Sequence, residues 1–216
     1  MSLGMILLVA LSLLILFGAM QRVLDRMGLT DRQALACAAA IFIGGWLPDI
    51  PLGRFTINPG GALIPLFVCA YLILRAGTNK ERMRCLIASA LSAASIYAVS
   101  VFFPADPESM PFDPMILYGV FSGLIAWFLG RSRRSAFVAG ILGVILADSV
   151  VGFINWQSGI SQVVHLGGAG ALDAVVFSGL SAVLICELFG EILERIKTGK
   201  TDASNEDGAI EGGIRA

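Results

Sequence analysis

The basic residues of this chain are confined almost entirely to alternate loops between apolar stretches, and this asymmetry constrains its fold more than any other feature. Seven apolar runs can be traced, and fourteen of the fifteen Lys and Arg residues follow the first, third, fifth or seventh run. Arg54 is the exception. Because basic loops stay on the cytoplasmic side of a membrane, the pattern predicts a polytopic membrane protein with its N-terminus outside and its C-terminus in the cytoplasm.

The apolar runs have lengths typical of membrane-spanning helices, although the second and third are short. A helix needs about 20 residues to cross about 30 Å of hydrocarbon. The chain is 56% hydrophobic and only 14% charged, which is unusual for a soluble domain. We therefore predict an all-α fold of about seven transmembrane helices in one domain, residues 1–197. The runs are residues 3–20, 34–47, 60–74, 86–103, 115–130, 136–155 and about 166–190.

The two ends of the chain lead to separate expectations. Residues 3–20 have the alternative interpretation of a cleaved signal peptide, but they lack a preceding positive region, so an outside-to-inside first helix fits better. Whether that helix is retained stays open. Residues 198–216 are rich in Gly and polar residues and poor in apolar ones, which predicts a disordered cytoplasmic tail.

Composition and motifs argue against several classes of function. A net charge of −1 gives no reason to expect nucleic-acid binding. The four Cys match no metal-site spacing, and the chain has no P-loop and no dinucleotide fingerprint. We expect no metal or cofactor. The expected partners are the lipid bilayer and a small solute or ion, and the sequence leaves homo-oligomerisation open.

Two apolar runs open with the same short motif. Gly-Gly-Ala begins at Gly60 in the third run and at Gly167 in the seventh. The odd number of runs allows a parallel repeat of three helices, a linker helix and three helices. Interrupted segments at matching places in two halves indicate a transport path, although such residues can also simply cap external loops. The predicted path consists of Asn58, Gly60, Gly61, Asn155, His165, Gly167, Gly168 and Gly170.

Two acidic residues lie inside the last two runs. Asp148 precedes the outer end of the sixth run by a few residues, and Asp173 follows the outer start of the seventh at a similar depth. A carboxylate costs about 2.5–3.5 kcal/mol in a membrane helix, so such residues face a partner or water and usually serve function. We therefore predict that Asp148 and Asp173 form a proton-binding or catalytic pair. The structural alternative is that Asp173 caps its helix and Asp148 bonds to a neighbour.

Two further titratable residues lie within or directly before the last apolar run. Glu187 lies near the cytoplasmic end of the last run, where snorkelling or pairing with Arg195 explains it. His165, at the outer boundary, can relay protons, but an interfacial His is more often simply solvated.

Several motifs resemble a known family of prokaryotic multi-pass membrane proteins, domain of unknown function 1614. They are residues 48–53, residues 58–65, Ala147-Asp148 and the glycine-rich block that ends in Asp173. Ala174 stands where family members tend to have Gly. The resemblance implies a location in the prokaryotic cytoplasmic (inner) membrane and no particular activity.

Two more distant likenesses add alternatives. The acid pair is similar to that of the presenilin-type aspartyl proteases, but their Gly-x-Gly-Asp motif is not met at Asp173 and no Pro-Ala-Leu element follows. The predicted layout is similar to the SWEET-type sugar carriers, whose Pro-Gln motif is absent. The leading hypothesis is a small proton- or cation-coupled transporter. The alternatives are an intramembrane aspartyl protease and a non-catalytic membrane assembly subunit.

Overall fold

The computed structural model of the chain describes residues 27–102, 114–130, 132–168, 170 and 173–214, together with residues 10 and 25. Apart from residue 10, the predicted first span at 3–20 lies outside the described residues, as do residues 103–113 of the acidic loop.

Most of the described chain is helical. Six α-helices are described, and a five-residue π-helix, Pro59–Leu63, leads directly into the second of them. The same residues include three short strands between the helices. The helices are α1 (Asp31–Gly44), α2 (Ile64–Leu74), α3 (Asn79–Phe102), α4 (Pro114–Gly130), α5 (Arg133–Gln157) and α6 (Ala174–Ile214), and the strands are β1 (Ile50–Leu52), β2 (Phe55–Ile57) and β3 (Val164–Leu166).

Among the described residues, three helices are long and apolar enough to cross a membrane. They are α3, α5 and the first part of α6, Ala174–Glu194. Two shorter apolar helical segments, Pro59–Leu74 and Ile116–Leu129, accompany them. The structure is therefore mostly helical and compatible with a membrane protein, whereas the total of about seven spans, their orientation and the parallel repeat stay predictions.

The structure adds a small sheet that the all-α prediction did not contain. Strands β1 and β2 form an antiparallel hairpin, and β3 joins β2 in parallel, with Thr56 opposite His165. Each strand has only three residues, so none is long enough to show the alternation of apolar and polar residues that marks a strand. The sheet joins the segment before α2 to the segment before α6.

The last helix is longer than expected from the apolar run. Its backbone continues to Ile214 and so includes most of residues 198–216, where composition predicts disorder. The prediction of a disordered tail rests on composition alone and stays a prediction.

Helix α5 lies at the centre of the bundle. It contacts α2, α3, α4 and α6, and its first half is almost continuously buried. At its start, Arg133 forms an ion pair with Glu187 of α6. Glu187 therefore pairs across the bundle with a residue of α5, because α5 and α6 are neighbours in space. The side chain of Arg195, the partner expected from the sequence, lies outside the described residues.

The next residue, Arg134, holds a second group of segments at the same end of the bundle. Its guanidinium donates to the Met27 carbonyl at 3.0 Å and pairs with Glu81 at the start of α3 at 3.1 Å. The two consecutive arginines thus connect α5 to two different parts of the chain. This end of the bundle is closed by ion pairs, whereas the cavities described below lie near the opposite end of α5.

Candidate functional site

Asp148 lies in the wall between two cavities. It is half-buried on α5, and Val151 and Asn155, one and two helical turns further on, also line both cavities. The spacing i, i+3 and i+7 places these three residues on one face of the helix. This face therefore presents two polar side chains, Asp148 and Asn155, to both cavities.

The first cavity, here called the sheet-side cavity, has a volume of about 290 Å³. One wall is the face of α5 that carries Asp148 and Gly152. The other wall is residues 162–165, which include the first two residues of strand β3. A methyl group at Gly152 would meet the Val164 side chain at 2.2 Å. Gly152 therefore permits β3 to approach α5 and forms part of this cavity.

The second cavity, here called the bundle-side cavity, has a volume of about 310 Å³ and lies between α3, α4 and α5. Tyr97, Ser100 and Val101 line it from α3, and Tyr118 lines it from α4. The sequence analysis assigned no role to these residues. A signal was present, because Tyr97 and Ser100 stand three residues apart near the apolar end of α3, but a pattern within one helix does not identify the helix that faces it.

Asp173 interacts with Asp148 through its charge and also caps the helix α6. The two carboxyl groups are near enough to interact through their charges. At the same time the Asp173 Oδ1 accepts a hydrogen bond from the Val175 amide at 2.9 Å, and α6 begins at Ala174. Asp173 is thus the N-cap residue of α6, as in the structural alternative. It lines neither cavity.

Two other predicted residues, Asn155 and His165, lie with Asp148 around the sheet-side cavity. The Asn155 amide donates to Gln162 Oε1 at 3.1 Å, which connects the end of α5 to the loop before β3. His165 Nδ1 lies 2.7 Å from Thr56 Oγ1 and 3.8 Å from Asp49 Oδ2. His165 therefore has polar partners on the neighbouring part of the sheet.

Asn58 caps the π-helix and is almost fully buried. Its Oδ1 accepts from the amides of Gly60 and Gly61, and its Nδ2 donates to Asp49 Oδ1 at 2.9 Å. These bonds use both ends of the side-chain amide. Asn58 is thus held by the backbone and by Asp49, and it lines neither cavity.

The two glycine segments of the predicted path meet each other in space. A methyl group at Gly61 would meet the Gly167 carbonyl oxygen at 2.1 Å, and one at Gly170 would meet the Gly45 backbone at 2.8 Å. Gly167 and Gly170 also have positive φ angles of 69° and 62°, which favour glycine. Gly168 is exposed, whereas Gly60, Gly61, Gly167 and Gly170 are buried. These glycines permit close backbone packing and line neither cavity.

The arrangement provides carboxylate and amide oxygens and no group of metal ligands. Among the residues that the structure describes, no three His, Cys, Asp or Glu side chains are grouped so as to hold a metal ion. The Asp148 carboxylate can accept a proton, and this carboxylate together with the Asn155 side-chain oxygen can bind a small cation from either cavity.

Comparison with known proteins gives a family and no activity. No curated protein and no solved structure matches this chain. The model of the family described as "Protein of unknown function (DUF1614)" matches residues 49–185. The match extends from Asp49, which bonds to Asn58, across the sheet and α5 and into α6, so it includes Asp148, Asp173 and both cavities. Since the matched residues make up more than half of the chain, this protein belongs to the DUF1614 family.

Proposed function

We propose that this protein is an integral membrane protein that moves a proton or a small cation, with the carboxylate of Asp148 as the binding group. One observation carries the proposal: Asp148 lines two cavities from within a helix that is long enough to cross a membrane. Asp148 precedes the last residue of α5 by nine positions, which corresponds to a depth of roughly 14 Å at the rise of an α-helix.

The charge around Asp148 supports a positively charged ligand. Among the described residues, no Lys or Arg lines either cavity, so this part of the chain provides no permanent positive charge in the walls to neutralise the carboxylate. A carboxylate at membrane depth is stabilised by a partner, a proton or water. A proton or a cation that enters either cavity can meet this need.

The alternative of an aspartyl protease has one observation in its favour, which is the electrostatic proximity of Asp148 and Asp173. In that mechanism both carboxyls act on one water molecule. The hydrogen bond from the Val175 amide to Asp173 favours instead a structural role for the second acid. We therefore assign the ligand to Asp148 alone, with Asp173 as its neighbour at the start of α6.

A flux measurement tests the proposal. The full chain is reconstituted in liposomes. Entry of H⁺ driven by a membrane potential is followed with an enclosed pH-sensitive dye, and entry of Na⁺ or K⁺ down a concentration gradient is followed with radioactive tracers. We expect wild-type protein to carry at least one of these ions and D148N protein to carry none, because the amide cannot hold a proton or neutralise a cation. S149A is the matched control, since the Ser149 hydroxyl donates only to the Ile145 carbonyl of its own helix.

Two results would contradict the assignment. Equal fluxes of every ion through wild-type and D148N protein, at equal amounts inserted, would remove Asp148 from the transport step. Cleavage of a membrane peptide that is lost in both D148N and D173N would favour the protease instead.

A further inference from the structure

The bundle-side cavity differs in character from the sheet-side cavity, although Asp148 belongs to both. Around the sheet-side cavity stand the side chains of Asn155, Gln162 and His165, and residues 161–163 beside it are exposed. Around the bundle-side cavity the side chains are mainly aliphatic and aromatic. Asn155 belongs to both linings, so the difference comes from Gln162 and His165 on one side and from the aliphatic and aromatic side chains of α3 and α4 on the other.

The rim of the bundle-side cavity lies on surfaces that the bilayer would cover. Val101 on α3 is 57% exposed and Ile154 on α5 is 39% exposed. Both helices are long and apolar enough to cross a membrane, and both residues lie near the ends of these helices. An exposed apolar side chain on such a helix faces lipid. The cavity is therefore accessible to a molecule already dissolved in the bilayer.

The chemistry of the wall selects an amphipathic ligand. The Ser100 hydroxyl donates to the Tyr97 carbonyl at 2.8 Å, so it is used within its own helix. In the part of the chain that the structure describes, Asp148 is the only Asp or Glu that lines this cavity, and no Lys, Arg or His lines it. Aromatic faces such as those of Tyr97 and Tyr118 attract cations. A ligand with a positive group beside Asp148 and an apolar body between α3 and α4 would therefore interact favourably with both the carboxylate and the aromatic side chains.

We infer that the bundle-side cavity binds small aromatic or aliphatic organic cations that enter from the membrane, with their positive group against Asp148. This inference rests on the proposed function and specifies its substrate class. The volume of about 310 Å³ lies at the lower end of the range for small-molecule sites, which favours ligands with a single ring. The sheet-side cavity then provides the route by which water and protons reach the same carboxylate.

A pair of matched probes tests the substrate class. Tritiated benzyltrimethylammonium and tetramethylammonium carry the same permanent charge, and only the first has an apolar ring. Binding of each to the full-length protein in a non-ionic detergent is measured by scintillation proximity. We expect saturable binding of benzyltrimethylammonium that is at least about tenfold tighter than that of tetramethylammonium, because the ring buries apolar surface.

A pair of matched variants tests the location. V101W places a large ring at the rim of the bundle-side cavity, and V150W makes the same change at an exposed position of α5 that lines neither cavity. We expect V101W to weaken binding of benzyltrimethylammonium at least about tenfold through steric exclusion, and V150W to change it by less than about twofold, as is usual for surface substitutions.

The possible results separate this inference from the proposed function. If neither probe binds saturably, or if both bind equally, while ion flux still depends on Asp148, the organic-cation inference fails and the proposed function stands. Weaker binding in V163W, which alters the sheet-side cavity, with normal binding in V101W would also overturn the inference. If ion flux does not depend on Asp148, the proposed function fails as well.

Discussion

At the scale of single residues, the two acids that the sequence pairs have different surroundings. Asp148 borders two cavities, whereas Asp173 accepts a backbone hydrogen bond at the first turn of α6. A carboxylate at a helix N-terminus satisfies an otherwise unpaired amide and interacts favourably with the helix dipole. Helix capping therefore explains why an acidic residue follows the glycine turn, and no catalytic or proton-binding role of Asp173 is needed.

Substitution of Asp173 separates a capping role from a chemical one. We expect D173A to lower the free energy of unfolding by about 1 kcal/mol and D173N to leave it nearly unchanged, because Asn caps helices about as well as Asp. Thermal unfolding in detergent measures the stability, and ion flux in liposomes measures the activity. A D173N protein that is as stable as wild type but has lost its flux would show that the carboxyl itself takes part.

At the scale of elements, the structure depends on close contact between the π-helix and the turn before α6. The backbones of Gly61 and Gly167 are in close contact. Beside them, the backbone N–H of Asn58 donates to the Leu166 carbonyl at 3.0 Å. These contacts bring together two segments that are separated by about half of the chain. They position the start of α6, and with it Asp173, against the rest of the bundle.

A single methyl group tests this contact. In G61A the new methyl would meet the Gly167 carbonyl oxygen at 2.1 Å, so the two segments must separate, and we expect a loss of about 1–3 kcal/mol in stability, as for other overpacked sites. G77A is the control, because nothing lies within 4 Å of a methyl at that position. Equal melting temperatures for G61A and G77A in detergent would show that the segments do not pack this closely.

At the scale of the whole molecule, the ion pairs and the cavities lie toward opposite ends of α5. Arg133 and Arg134 begin this helix and pair with Glu187 and Glu81, and the cavities lie toward its other end at Gln157. The positive-inside pattern predicts that the ion-paired end is cytoplasmic. On this orientation both cavities lie in the outer half of the membrane.

Labelling of introduced cysteines tests the orientation. In a background without the four native cysteines, we expect Q157C to react with a membrane-impermeant maleimide in intact cells and K80C to react only after permeabilisation, because these exposed residues lie at the predicted outer and cytoplasmic ends. The reverse pattern would invert the topology. Reaction of both residues in intact cells would show that one of the intervening helices does not cross.

Local features of this protein were predictable from its sequence, whereas features that depend on tertiary contacts were not. Alternating basic loops and apolar runs predicted helices at residues 86–103, 115–130 and 136–155 near their observed positions, because hydropathy is a local property of consecutive residues. The strands were not predicted, since pairing of Thr56 with His165 joins residues distant in the chain. The bundle-side cavity was also missed, because its walls come from three helices.

The sequence by itself determined the mostly helical class, the helices able to cross a membrane and the family, because each follows from composition or from consecutive motifs. Only the tertiary structure decided how the polar and glycine residues are used. It placed Asp148 between two cavities, gave Asp173 a capping bond and packed Gly61 against Gly167. The physical reason is that burial, hydrogen bonding and close contact depend on which distant segments meet, and a residue pattern within one segment does not contain that information.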